Sequence, residues 1–304
     1  PYVYRDFVTG ISLSIHAHRT PVPAPQGITV YVDNMCLEQV EADHYKGFDL
    51  RAGAIAYCHS GYRPEAVKQA YAQSGSGMFY LRNSSGEVTF QGNCVPQANG
   101  LRQMDFSPVK AEGWYTLEVD GKKSRPFRIG REAYIPAAWK TLNFFFSERC
   151  GFDVPGIHTE CHMDVMSVHP DGRRLPVCGG WHDAGDLTQA AINTAESVFA
   201  MLELAIAERE AQPELSQRAK EEARWGLNWL MRTRWGDGYR HNGTVIGFWS
   251  DNIQGTLDDI NADSGNRPFD NFMIAGVCAK AISLFRDEDP RFADWCARCA
   301  KEDF

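Results

Sequence analysis

With 304 residues, 43% of them hydrophobic and 23% charged, the sequence has room for one large globular domain or two smaller ones, and the second reading is adopted. A formal net charge of -8, with no Lys/Arg run, argues against a nucleic-acid partner, whose phosphates would be repelled, and leaves neutral ligands such as sugars. No stretch of about 18 apolar residues occurs, so no membrane-spanning helix is expected. No charged-then-apolar leader follows Pro1, a start that a cleaved signal would also leave.

From residue 28 to 129 the sequence reads as short β-branched and aromatic runs at 28–32, 77–81, 87–90 and 114–119, separated by Gly, Asn and Ser clusters. That pattern predicts a small β-sandwich. Asp120-Gly121 marks a hairpin turn between 114–119 and 124–129, because both residues tolerate positive φ. After Arg131 the texture changes, which puts a domain boundary between 1–131 and 132–304. Residues 137–146 read as the first helix. Between 187 and 206 the apolar positions 187, 191, 194, 195, 198, 202, 205 and 206 share one helical face. Helices follow at 215–231, which Pro213 introduces, then at 269–285 and 292–299, with a Gly- and Asn-rich loop between Trp235 and Arg267. No repeat of fixed period is present, so successive helical hairpins suggest a bundle or toroid rather than a solenoid.

The chemistry concentrates in Gly179-Gly-Trp-His-Asp-Ala-Gly-Asp186, a glycine-rich turn ahead of the long helix that carries two carboxylates three residues apart. On a tight turn Asp183 and Asp186 can face one cleft, one as base toward a water and the other orienting that water. The plainer alternative is that Asp186 caps a helix starting at Leu187; a cap needs no second Asp, three Gly and a Trp.

That octapeptide resembles the signature of the family-nine glycoside hydrolases, inverting cellulases built on an (α/α)6 barrel. Phe144-Phe-Phe-Ser-Glu-Arg-Cys-Gly151 is similar to the end of that family's first helix, and His158-Thr-Glu-Cys-His162 to the loop after it. His59-Ser-Gly-Tyr-Arg-Pro64 and Ser124-Arg-Pro-Phe-Arg-Ile129 look like the start and end of the immunoglobulin-like domain that precedes many of these catalytic domains. The resemblance implies an immunoglobulin-like β-sandwich followed by an all-α (α/α)6 catalytic domain. It also implies Asp186 as general base, Asp183 helping to hold the water, and a β-1,4-glucan-type polysaccharide or oligosaccharide as substrate. In the family the general acid is a Glu near the end of the catalytic domain, and no position here matches it. About five helices are legible where the barrel needs twelve, so the sequence is expected to carry only the N-terminal portion of that domain, or a site incomplete by nature.

Cys150, Cys161, His162 and His182 are two thiols and two imidazoles, the ligand types of a tetrahedral zinc site, although the spacing is not that of a zinc finger and buried cysteines need no metal. Family members with the immunoglobulin-like domain hold a structural zinc at matching places, so the resemblance implies zinc here, structural because four protein ligands leave no open position. Calcium is left open. The nine cysteines are odd in number and unevenly spread, unlike a disulfide framework. Cys296-Ala-Arg-Cys299 lies in a helical pattern and reads as packing; Cys36, Cys58, Cys94 and Cys278 read as small buried groups, and Cys178 receives no role.

Trp235, Tyr239, His241 and Trp249 cluster in the loop after the third helix, where aromatic faces can stack on sugar rings and polar edges meet hydroxyls. Trp235 and Trp249 serve equally well as half-buried loop anchors, and Trp181 as the floor beneath Asp183. The rival functions are an exo-acting β-glucosidase or glucosaminidase of the same family, a non-catalytic carbohydrate-binding protein, and a zinc hydrolase. A glycan-degrading role points to secretion or the periplasm, with the cytoplasm as the alternative. Oligomeric state is not legible.

Overall fold

The computed structural model describes residues 50–51, 53–73 and 77–304. The strand expected at 28–32 and Cys36 lie outside them. The described residues divide into two compact units, one ending at Asn143 and the other spanning Phe144–Phe304.

The first unit is a sandwich of two antiparallel sheets. One contains β1 (Ile55–Ala56), β2 (Gln69–Ala72), β5 (Val95–Pro96) and β6 (Arg102–Asp105) in the order β1-β2-β6-β5. The other runs β4-β3-β7-β8 through β3 (Met78–Asn83), β4 (Val88–Asn93), β7 (Gly113–Val119) and β8 (Lys122–Lys123), with β9 (Phe127–Ile129) also on β7. β7 shows why these residues choose strand: Tyr115, Leu117 and Val119 point inward on alternate positions and the residues between them do not. They join Ala70, Phe79, Leu81, Met104 and Phe127 in a core supplied by both sheets. Asp120 at φ 48 and Gly121 at φ 71 make the expected two-residue turn, which sets Val119 opposite Lys122. The two segments that resembled the ends of an immunoglobulin-like domain meet. Tyr62 N donates to Arg128 O at 2.8 Å and Gly130 N to Tyr62 O at 2.9 Å, beside Gly61, where a Cβ would collide with Arg128 O.

Helix α1 (Ile135–Ser147) leads from the first unit into the second, which holds α2 (Ala191–Ala207), α3 (Pro213–Arg232), α4 (Pro268–Phe285) and α5 (Pro290–Asp303). α3, α4 and α5 each begin with Pro, whose missing N–H costs nothing in a first turn, and the Asp289 side chain caps α5 by accepting from Phe292 N. α2 packs on α3 and α4, and α4 packs on α5. Between helices lie short strands: β10 (Met166–Val168), β11 (Arg174–Pro176), β12 (Gln189–Ala190), β13 (Gly243–Thr244) and β14 (Asn261–Asp263). β10 pairs antiparallel with β11 and parallel with β14, while β12 pairs with β13.

Sequence periodicity placed the start of α2 four residues early. Leu187 adopts φ 53 and buries its side chain with Val165, Val177, Ile246 and Ile260, and Gln189–Ala190 is taken up by β13, so the helix cannot begin before Ala191. Cys94, Cys278, Cys296 and Cys299 are buried, as packing groups should be, whereas Cys58 is only half-buried.

Candidate active site and metal centre

The glycine-rich turn is strapped to the end of α1. Cys150 N donates to Gly180 O at 3.1 Å and His182 N to Glu148 O at 2.8 Å. Gly180 sits at φ 66 against the Trp229 ring, and a Cβ there would come within 2.9 Å of it, so the close packing requires glycine. Trp181 is buried between Phe145, with ring centroids 5.1 Å apart, and Glu222, to which its Nε1 donates at 2.8 Å. Glu222 is fully buried but well compensated, since Arg149 grips it through two bonds and Arg218 through one. Two arginines and an indole thus fix the floor from which the turn rises.

Beyond that floor the chain turns outward, and Asp183 and Asp186 are both exposed. Asp183 N donates to Thr188 O at 2.8 Å, and Asp186 Oδ1 accepts from Thr188 N at 3.2 Å. Asp186 is not a helix cap: α2 starts at Ala191, and its N-cap is Ala190 with no side-chain bond. Asp183 opens onto a hollow of about 120 Å³ lined by Phe144, Phe145, Trp181, Asn193 and Ser197 among others, and Asn193 Nδ2 lies 3.4 Å from its Oδ2. A larger cavity, about 530 Å³, lies among Trp225, Trp229, Trp295 and Arg298, but no carboxylate lines it.

Cys150, Cys161, His162 and His182 converge in the interior. Sγ of Cys150 lies 4.0 Å from Sγ of Cys161 and 3.5 Å from Nδ1 of His162; Nε2 of His182 lies 3.6 Å from Sγ of Cys161 and 3.2 Å from Nδ1 of His162. A tetrahedral zinc with ordinary bond lengths requires edges of about 3.8 Å for S–S, 3.5 Å for S–N and 3.3 Å for N–N, so the four side chains fit such an ion. The two thiols are driven apart in acidity. Burial raises the pKa of Cys150, while hydrogen bonds from Cys150, His162 and His182 lower that of Cys161 and hold it as a thiolate. His158 stands nearby, its ring centroid 5.6 Å from that of His182, with Nε2 hydrogen-bonded to Ser147 O.

A second donor group consists of Asp164, Asp258 and Asp259, which bring one carboxylate oxygen each within 4.8 Å of the others. Asp164 and Asp258 are 0% and 1% exposed, and Oδ1 of Asp259 is sealed from solvent with no hydrogen-bond partner among the described residues. The set is all oxygen, as a hard cation requires.

The four loop residues expected to meet a sugar are split by the fold. Trp249 is exposed and lies over the Cys/His cluster. Trp235 and Tyr239 are half-buried around His169, with Trp235 Nε1 donating to Ser264 Oγ at 2.9 Å and Arg173 lying over the indole. His241 is fully buried beside Trp229, and neither ring nitrogen has a partner among the described residues, so the expectation that it binds sugar is corrected.

Residues 59–124 match the cellulase N-terminal ig-like domain, and residues 134–304 match glycosyl hydrolase family 9. The chain belongs to glycosyl hydrolase family 9. It is 26% identical over 296 residues to Endoglucanase C of Cellulomonas fimi, which covers 79% of this chain and 27% of that protein. A single mutant of the thermostable endoglucanase from Alicyclobacillus acidocaldarius shares the fold with a TM-score of 0.63 at 24% identity, over 83% of this chain and 51% of that one. A Zn-binding triple mutant of the family 9 endoglucanase J30 gives 0.60 at 26% identity, over 79% and 52%. The family 9 chain therefore spans about a quarter to a half of the length of these relatives.

In this family 9 chain, sequence reasoning missed Glu222, whose Lys-Glu-Glu-Ala setting in α3 reads as solvated surface, and the His169 cluster, where Asp171 and Asp237 lie 2.8 and 3.2 Å from the two ring nitrogens. His241 carries a testable consequence. Burial lowers its pKa from 6.5 to about 4, so the unfolded chain takes up the proton first as pH falls through this window. The native state should therefore lose stability between pH 6.5 and 4, by about 2–3 kcal/mol on reaching pH 4.5. Urea titrations at pH 7 and 4.5 should show a loss larger by about 2–3 kcal/mol in the wild type than in His241→Leu; equal losses in the two proteins would refute it.

Proposed function

We propose that this family 9 chain carries the water-activating half of an inverting β-1,4-glucan hydrolase site, with Asp186 as general base and Asp183 steadying the water. The observation that carries the reading is the exposed pair on a rigid turn, with Asp183 at the mouth of a hollow walled by Phe144, Phe145 and Trp181. Apolar ring faces of a glucan suit such walls, and an uncrowded carboxylate suits proton abstraction. Inversion requires a second carboxyl group about 6.5–9.5 Å from the base, and that acid is assigned to no residue of this chain. The substrate class follows the relatives named above, which are endoglucanases. A polymer that cannot cross a membrane favours a place of action outside the cytoplasm. The domain division proposed is 1–131 and 132–304, supported by the change in sequence texture and by the match that begins at residue 134.

Zinc is the metal proposed for Cys150, Cys161, His162 and His182, with a structural role, because the four protein donors complete its coordination. It would tie the end of α1 to the turn through His182, the neighbour of Asp183. Calcium suits Asp164 and Asp258, which are buried, and Asp259, whose Oδ1 is sealed without a partner among the described residues. Of the remaining aromatics, Trp249 is the proposed sugar-stacking platform, and Trp235 and Tyr239 offer their exposed edges.

The test is the stereochemistry of hydrolysis. The full-length protein acting on cellopentaose, followed by proton NMR from the first minutes, should release the α-anomer of the new reducing end from the β-linked substrate. Initial release of the β-anomer would overturn the inverting assignment, and absence of any cleavage would favour the binding-protein alternative.

A further inference from the structure

Trp249 stands where the metal centre meets solvent. Its ring stacks on His162, with centroids 5.5 Å apart and planes at 18°, meets His182 edge-on at 5.5 Å and 85°, and tilts against His158 at 5.4 Å and 31°. It nevertheless remains 55% exposed, so one part of the indole covers imidazoles and another is open to a ligand.

The backbone around it is held by the same segment that supplies two of the ligands. His162 turns Nδ1 toward Cys150 and His182, which leaves Nε2 to carry the proton and donate to Phe248 O at 3.0 Å. Two residues on, Asp164 accepts from Ser250 Oγ at 2.5 Å and from Asn252 N at 3.1 Å. Met163 N donates to Asn252 Oδ1 at 3.1 Å, and Asn252 Nδ2 donates to Glu160 O at 3.0 Å. Residues 160–164 thus fix the loop on both sides of Trp249. A ligated His162 has one tautomer and one ring orientation, and both are passed on, through Phe248 O and the ring stack, to the indole.

We propose that Trp249 couples glycan occupancy to the metal centre: a sugar on its open face closes the cluster to solvent, and the filled cluster holds the indole ready for the sugar. The proposal rests on the reading of Trp249 as a glycan contact. Linkage makes the two effects equal, so a glycan that tightens metal binding is itself bound more tightly when the metal is present. Less motion remains to be lost when the ring is already fixed, which gives the coupling its favourable sign.

The experiment uses full-length protein loaded with zinc, carrying Asp186→Asn so that the probe is not consumed. Zinc release to a chromophoric chelator is timed with and without saturating cellopentaose, whose binding is measured separately by calorimetry. Cellopentaose is expected to slow release by about fivefold or more, the lower end of ordinary coupling. Adding Trp249→Ala should speed release without ligand and remove the cellopentaose effect, while Trp249→Phe should keep most of it. Because Trp249 is more than half exposed, the truncation should leave the fold intact, and the unmodified indole already tests the first expectation. Cellopentaose that binds but leaves release unchanged overturns the coupling alone. Cellopentaose that does not bind overturns the glycan reading and the coupling with it. An undiminished effect in Trp249→Ala assigns the coupling elsewhere and overturns the role of this residue.

Discussion

Asp186→Asn in the full-length protein is expected to lower kcat on cello-oligosaccharides by about 10²–10⁴-fold, the usual worth of a positioned general base, with KM little changed. The substitution is a clean one at this position. Asp186 Oδ1 accepts from Thr188 N, and Asn offers the same acceptor in the same shape, so the turn that leads through Leu187 to β12 is kept. What is lost is the ability to take a proton. Asp186→Ala would also remove the turn's hydrogen bond and confuse the two effects. Asp183→Asn should cost less, because Asp183 is assigned to orient the water rather than to receive its proton. Kinetics on the three proteins, with melting temperatures as the control for folding, decide the matter. Retention of more than about a tenth of kcat in Asp186→Asn, against a penalty expected to be at least 10²-fold, would remove it as the base.

The turn and the Cys/His cluster were legible because their chemistry is written in residue type. Two Asp among three Gly, and two Cys with two His, are unusual in any packing role, and the resemblance to a family sharpened both. Helix α2 was legible from the period of its apolar face, and the hairpin at Asp120-Gly121 from its need for positive φ. Residues whose surroundings come from distant elements were not legible. Glu222 looks like any charge on an amphipathic helix until Arg149, Arg218 and Trp181 arrive from elsewhere to hold it. His241 and Trp249 belong to one aromatic loop in the sequence, yet one is sealed beside Trp229 and the other stays open above the Cys/His cluster. Periodicity likewise reported that Leu187 faces inward but not that the backbone of Gln189–Ala190 belongs to β12.

Removal of the metal should have the largest effect on stability, and an effect confined to one unit. A ligand present at about 1,000 times its dissociation constant stabilises the folded state by about 4 kcal/mol. For a unit the size of Phe144–Phe304 that corresponds to a fall in Tm of about 8–16 °C on chelation. The sandwich should not share it, because its core is drawn from residues between Tyr62 and Ile129 and contains none of the four donors. Calorimetry should therefore show two transitions, of which only the helical one moves when zinc is stripped or Cys161 is replaced by Ser. Metal analysis should find one zinc per chain before treatment and none after. The fall should shrink as the pH of loading is lowered, since Cys and His must shed protons to serve as ligands and bind the ion more weakly in acid. Activity should fall with the metal, because His182, the proposed zinc donor, is the chain neighbour of Asp183. A stripped protein whose helical transition does not move would leave the Cys/His cluster as packing alone, and the turn would then owe its position to Glu222 and the Trp229 ring.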